Sequence, residues 1–221
     1  MSKATLLLTV AFAAMTTSAN ARPSFTLSDG NRIVTIAPPG APAAKFVPGT
    51  KYLLTNFATK EPKGTYLSAP FGFTISGPSS TFGEAYGLAE QFALKKSATV
   101  TTLTVAIGYV SGDHSFTLTL YADDGHNAPG ALLASGTGTT NVAAGTCCAV
   151  ENVVIASTSL AAKTPYWLAI TTTGSNFESD APEVANQVNA RAYVSSTTDG
   201  GNTWSAGVLE TWYGLPAFGI K

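Results

Sequence analysis

Apolar and polar residues alternate one for one through much of the chain. In Phe116, Leu118 and Leu120 the apolar side chains are separated by Thr117, Thr119 and Tyr121, which is the period-two signature of a strand with one face in a core. The run TPYWLAITTT at 164–173 matches it as a second strand, and its apolar centre places Trp167 in the core. Similar segments fall at 52–57, 72–75, 87–94, 99–110, 132–138, 149–155, 190–195, 211–213 and 217–220, with Gly, Pro, Asn or Asp between nearly all of them. Only 82–95 could be mistaken for a helix, and Gly83 and Gly87 count against that. Many short strands with turn signals and little helical periodicity predict an all-β fold, an antiparallel β-sandwich of jelly-roll-like type.

The first residues have a different pattern. Lys3 heads an apolar stretch at 6–14 that is too short to span a bilayer, and Ala19-Asn20-Ala21 gives an A-x-A cleavage signal. Residues 1–21 are therefore expected to be a signal peptide, with a mature chain beginning at Arg22 that is secreted, to the extracellular space or the periplasm, and has no membrane span. The segment FTLSDGNRIVTI at 25–36 predicts a hairpin that turns at Asp29, Gly30 and Asn31. A Pro- and Gly-rich connector at 37–49 follows, so 22–50 is expected to precede a sandwich domain of 51–221. Whether the hairpin packs on its own chain or on a partner's sheet edge is open at this level, as is the oligomeric state.

Charge narrows the choice of partners. Charged residues make up 11% of the chain and the formal net charge is −1, against about 25% charged in an average globular protein. Lys60, Lys63, Lys95 and Lys96 are scattered, so the sequence holds no clustered cations for nucleic acid or an anionic membrane surface. A cell-surface protein or a polysaccharide is the expected partner.

The densest ionisable stretch holds Asp113, His114, Asp123, Asp124 and His126. A hydrolase needs a positioned acid and base, a nucleophile with its base, or a metal set; here it would have to join Asp113, His114 and Asp123 to Glu84 or Glu90 across loops. Calcium is the one cofactor with candidate ligands, because Asp123, Asp124 and Asn127 offer hard oxygens in one turn. Side chains that bond their own backbone account for the same residues more simply. Cys147 and Cys148 are the only cysteines, and an exported protein should hold them oxidised. A bridge between neighbours whose Cα atoms lie about 3.8 Å apart is strained, so the pair reads either as a rigid vicinal turn beside Gly145 or as a redox or intermolecular crosslinking site. Tyr86, Tyr109, Trp204, Trp212 and Tyr213 could stack on sugar rings, although packing is their default role.

Two resemblances add to this. The segment TTDGGNTW at 197–204 resembles the Asp-box hairpin of sialidase-type propellers and other secreted β-proteins, which implies that Asp199 pins a turn and Trp204 packs beneath it. One copy makes no propeller. The blocks Leu54-Thr55-Asn56-Phe57, GFTISGP at 72–78, AEQF at 89–92, VAIGYVSG at 105–112, PGAL at 129–132, Gly145-Thr146-Cys147-Cys148, Pro165-Tyr166-Trp167 and Leu215-Pro216-Ala217-Phe218 follow in an order similar to that of bacterial exported proteins of the choice-of-anchor R type. That resemblance implies a secreted or surface-displayed β-sandwich of unassigned biochemical role. The chain stops at Lys221 with no hydrophobic tail or sorting motif, so it is expected to be released. A second cysteine pair sought ahead of 72 is absent, with Ser68, Ala69 and Pro70 in its place. The expectation is thus a non-catalytic extracellular structural, adhesive or interaction module, with a carbohydrate-binding module as the alternative and a secreted hydrolase as the second alternative.

Overall fold

In a computed structural model the chain is described at residues 51–57, 68–80, 82–144, 146–172, 174, 178–184, 191–210 and 215–221, and as backbone at 25–29 and 32–36. The expected signal peptide at 1–21, the connector at 37–49, Lys60, Lys63, Trp212 and Tyr213 lie outside the described residues. Every described element is a strand: β1 Phe25–Asp29, β2 Arg32–Ile36, β3 Leu54–Thr55, β4 Ser68–Ser76, β5 Gly87–Ala93, β6 Ala98–Tyr109, β7 Ser115–Asp123, β8 Pro129–Thr139, β9 Thr146–Leu160, β10 Pro165–Thr172, β11 Glu178–Val184, β12 Ala192–Thr197, β13 Val208–Glu210 and β14 Phe218–Ile220. Among the described residues no helix is long and apolar enough to cross a membrane.

The strands pair in nested fashion. β7 pairs with β8, β6 with β9, β5 with β10 and β4 with β11, all antiparallel, so the chain behaves as one long hairpin rolled upon itself. Successive pairs fall on alternate sheets: β5-β10-β7-β8 are neighbours in one layer, while β6-β9 belong to the other, where β11 runs alongside β6. This is the jelly-roll wrap that the strand spacing predicts. β12 and β13 extend the first layer beyond β5, making six strands, and β14 and β3 add to β6.

Residue parity decides what each face buries. Leu88 and Phe92 of β5, Phe116, Leu118 and Leu120 of β7, and Tyr166, Leu168 and Ile170 of β10 point between the layers, where they meet Leu103, Val105 and Ile107 of β6 and Val153 and Ile155 of β9. At the β8 edge the layers touch through glycines. A Cβ at Gly136 would strike the Val154 carbonyl and lie 2.7 Å from Val153 Cγ1, and one at Gly138 would lie 2.5 Å from the Phe116 ring. Only residues without side chains allow β8 to close over β9.

Three points go beyond or against the sequence. The hairpin packs in cis, where β2 pairs with β4 through Val34–Phe73 and extends that sheet. A strand that the sequence hides, β11, reads ESDAPEV; its charges and proline disguise it, and its register shifts between Pro182 and Val184 as expected where a ladder donor is missing. Cys147 and Cys148 stand in β9 and not in a turn: Ile107 pairs with Ala149 and Tyr109 with Thr146, so the two cysteines oppose Gly108 as a β-bulge. Their side chains lie outside the described set.

Candidate functional site

The outward face of the six-stranded layer is where the singled-out residues gather. Odd-numbered positions of β5, β7, β10 and β12 face away from the inter-sheet core, and there Ala89, Trp167 and Ala169 form a second buried cluster flanked by Tyr121, Tyr193 and Trp204. Trp167 is 0% exposed, yet it lies outside the main core on the opposite side of its sheet. The run YWLAI is continuously apolar because both faces of β10 are covered, which is the pattern of a doubly buried strand.

The cover is the segment at 198–207. Ser205 N donates to Ser196 O at 2.8 Å, Ser195 Oγ donates to Ser205 O at 2.6 Å, and Gly207 N donates to Asn127 O at 2.7 Å. Gly207 lies directly over the indole, since a Cβ there would come within 2.8 Å of Trp167 Cη2. The β12–β13 connection is thereby tied to the β7–β8 turn, and the two Asp-rich turns are brought to one face.

In the first turn both Asp123 oxygens accept bonds. Oδ2 takes Trp167 Nε1 at 2.8 Å and Gln91 Nε2 at 2.8 Å, and Oδ1 takes Gly125 N at 2.8 Å. Asp124 Oδ1 accepts from His126 N at 2.6 Å and Ala128 N at 3.0 Å. These backbone bonds, His126 first, hold the Asp124 carboxyl below its usual range. Asn127 takes the left-handed conformation, φ 61°, which Asn tolerates. Of the candidate calcium ligands, Asp123 and Asp124 thus accept bonds from their own turn, Asp123 also from Trp167 and Gln91, and among the described residues no three His, Cys, Asp or Glu side chains converge as a metal set.

Asp199 Oδ1 accepts from Thr197 Oγ1 at 2.6 Å and Thr203 N at 2.9 Å, and Oδ2 accepts from Thr203 Oγ1 at 2.6 Å. These bonds, the Thr197 hydroxyl first, drive the Asp199 carboxyl far below the ordinary carboxylate range. Gly200 and Gly201 supply φ of 75° and 95°. Trp204 packs edge-on against Tyr121, centroids 5.9 Å apart, and a Cβ on Gly201 would lie 3.4 Å from its ring. Trp204 Nε1 is buried, with no hydrogen-bond partner among the described residues.

The other candidates do not join this face. Tyr109 is 9% exposed in the inter-sheet core, stacked on His114 with centroids 3.9 Å apart; it is no part of a surface platform. Tyr86 packs edge-on to Phe82 beside β5, and its phenol is raised by burial and then by Glu84. The ionisable stretch is divided by the fold. Asp113 and His114 precede β7, Asp123 is its last residue and Asp124 follows it, so the nine-residue strand holds the groups roughly 30 Å apart. Glu84 is exposed at the approach to β5, where its carbonyl accepts from Ser76 Oγ at 2.9 Å. Glu90 is on the inner face of the layer whose outer face carries Asp123. The cleft that a hydrolase would require from these residues is not formed.

Tyr121, Tyr193 and Gln91 belong to the outer cluster and carry no motif of their own. Their parity relative to Trp167, read through the registers Trp167–Tyr121 and Trp167–Gln91, is the signal that finds the first and last of them. Comparison of the chain with protein families, curated proteins and solved structures finds no match.

Proposed function

We propose that the chain is an exported, non-catalytic jelly-roll protein that acts by binding, as an extracellular structural, adhesive or interaction module. The observation that carries this is the commitment of both Asp-rich turns to internal hydrogen bonds, together with the length of β7 between the two halves of the ionisable stretch. Acidic residues arranged in this way build a rigid outer face in place of a reaction centre. The leader-like start and the choice-of-anchor R block order supply the exported setting. The cysteine pair fits an oxidising compartment, and a vicinal bridge at the β9 bulge predicts that unreduced native protein shows no reactive thiol toward a labelling reagent.

A carbohydrate-binding role is the second reading, supported by the Tyr121–Tyr193–Trp204 face, where half-buried aromatics lie beside Gln91 and Asp123. The test is incubation of mature protein, residues 22–221, with soluble and insoluble polysaccharides, following depletion, tryptophan fluorescence and released sugar. Sugar release that survives rigorous purification overturns the non-catalytic reading. Saturable binding lost in Tyr193→Ala selects the carbohydrate role, and no binding across the panel leaves a protein-partner module.

A further inference from the structure

Glu90 is a buried ionisable group that neither turn uses. It lies on β5 between Leu168 of β10 and Val194 of β12, and parity turns it inward with Leu88 and Phe92, leaving it 4% exposed. Leu118 of β7, Val105 of β6, and Pro216 and Phe218 of the C-terminal segment share with it the lining of a cavity of about 10 Å³, the room one water molecule occupies. Among the described residues Asn56 is the polar side chain that favours the charged form of the carboxyl, and none of them is a hydrogen-bond partner of the buried Oε2. Burial pushes the carboxyl well above the ordinary carboxylate range, and the Asn56 bond only partly opposes this.

Asn56 has a second role. Its Nδ2 donates to Pro216 O at 2.7 Å, and its Oδ1 accepts from Phe218 N at 2.8 Å. The side chain that touches Glu90 is therefore the clamp on β14, a strand of three residues whose outer neighbour β3 has two.

We propose that Glu90 is carried as a neutral acid and that its ionisation is a pH-dependent latch on the C-terminal strand β14. A carboxylate at this position must be hydrated. The neighbouring strands of the six-stranded layer are paired along both edges over at least three residues on each side, whereas β14, although also paired on both edges, meets β6 over three residues and β3 over only two, with Asn56 holding Pro216 and Phe218. Water reaches the charge by displacing that wall, and the clamp reorients with it. The unfolded chain releases this proton near pH 4.5 and the folded chain at higher pH. The fold is thus fully supported below that value and weakened as pH rises toward the folded-state pKa, by about tenfold in the folded-to-unfolded ratio per pH unit.

The test uses the full mature chain and Glu90→Gln, which keeps the shape and cannot ionise. Carbon-13 carboxyl NMR of the wild type should show Glu90 titrating well above the ordinary carboxylate range. Hydrogen exchange at matched pH should show β14 amides equally protected in both proteins at about pH 4, with exchange at least about tenfold faster in the wild type once the Glu90 carboxyl has titrated. A carboxyl that titrates in the ordinary range overturns the proposal, as does β14 protection that is the same in both proteins above the Glu90 titration. If Glu90→Gln does not fold, the wild type alone decides: β14 exchange must rise relative to β7 amides in the same sample as the Glu90 carboxyl titrates, and parallel behaviour of the two strands rejects the latch.

Discussion

Trp167 Nε1 donates a 2.8 Å hydrogen bond to Asp123 Oδ2, fastening the centre of β10 to the last residue of β7 on the outer face of the six-stranded layer. Gln91 of β5 reaches the same oxygen at 2.8 Å, so one carboxylate oxygen joins three neighbouring strands.

Asp123→Ala should therefore be among the most damaging substitutions outside the main core. It strands the indole and amide donors and releases the Gly125 turn, with an expected loss of about 2–4 kcal/mol. Urea unfolding followed by tryptophan fluorescence measures it, and Asp123→Asn, which keeps an acceptor, should retain part of the loss.

The second Asp turn confers acid sensitivity. Because the Asp199 carboxyl is held far below its ordinary value by Thr197 and Thr203, its contribution is fully present above the unfolded-state value of 3.8. It is lost as pH falls below that point, where the unfolded chain takes up the proton first. The urea midpoint should drop between about pH 5 and about pH 2, and Asp199→Asn should remove part of that drop. Equal drops in both proteins would show that other carboxylates carry the effect.

Glycines at different places should respond oppositely to space and to backbone conformation. Gly136→Ala drives a methyl into the Val154 carbonyl and Val153, and should destabilise by about 2–3 kcal/mol by parting β8 from β9. A Cβ at Gly83 would meet nothing within 4 Å, but the backbone there has a φ of 70°, so Gly83→Ala should cost about 1 kcal/mol through backbone strain alone. Differential scanning calorimetry of the two variants separates the mechanisms.

Asn56→Ala removes the two bonds that clamp the C-terminal segment. A loss of about 2–3 kcal/mol is expected, accompanied by faster exchange of β14 than of β7. Uniform loosening of both strands would show that Asn56 acts on the whole fold and not on its terminal strand.

Much of this architecture was legible in the chain itself. Period-two alternation and turn residues place β5, β6, β7, β10 and β12 within a few residues, because one-sided burial imposes that pattern directly. The Asp-box turn was legible for a related reason, since its bonds run between residues at most four apart. β11 was hidden because a strand carrying Glu178, Asp180, Pro182 and Glu183 has no apolar alternation to read.

What the sequence determined alone is local: strand periodicity, the two acidic turns, the adjacency of Cys147 and Cys148, and a composition without cationic clusters. The tertiary structure decided everything that depends on which strands become neighbours. Nested pairing sent Glu90 and Asp123 to opposite faces of one sheet, and the length of β7 parted Asp123 from His114. The cover at 198–207 buried Trp167 on a face that alternation alone assigns to solvent. Side-chain parity is set residue by residue, whereas burial of a sheet's second face depends on a distant segment returning to cover it, and no local pattern encodes that return.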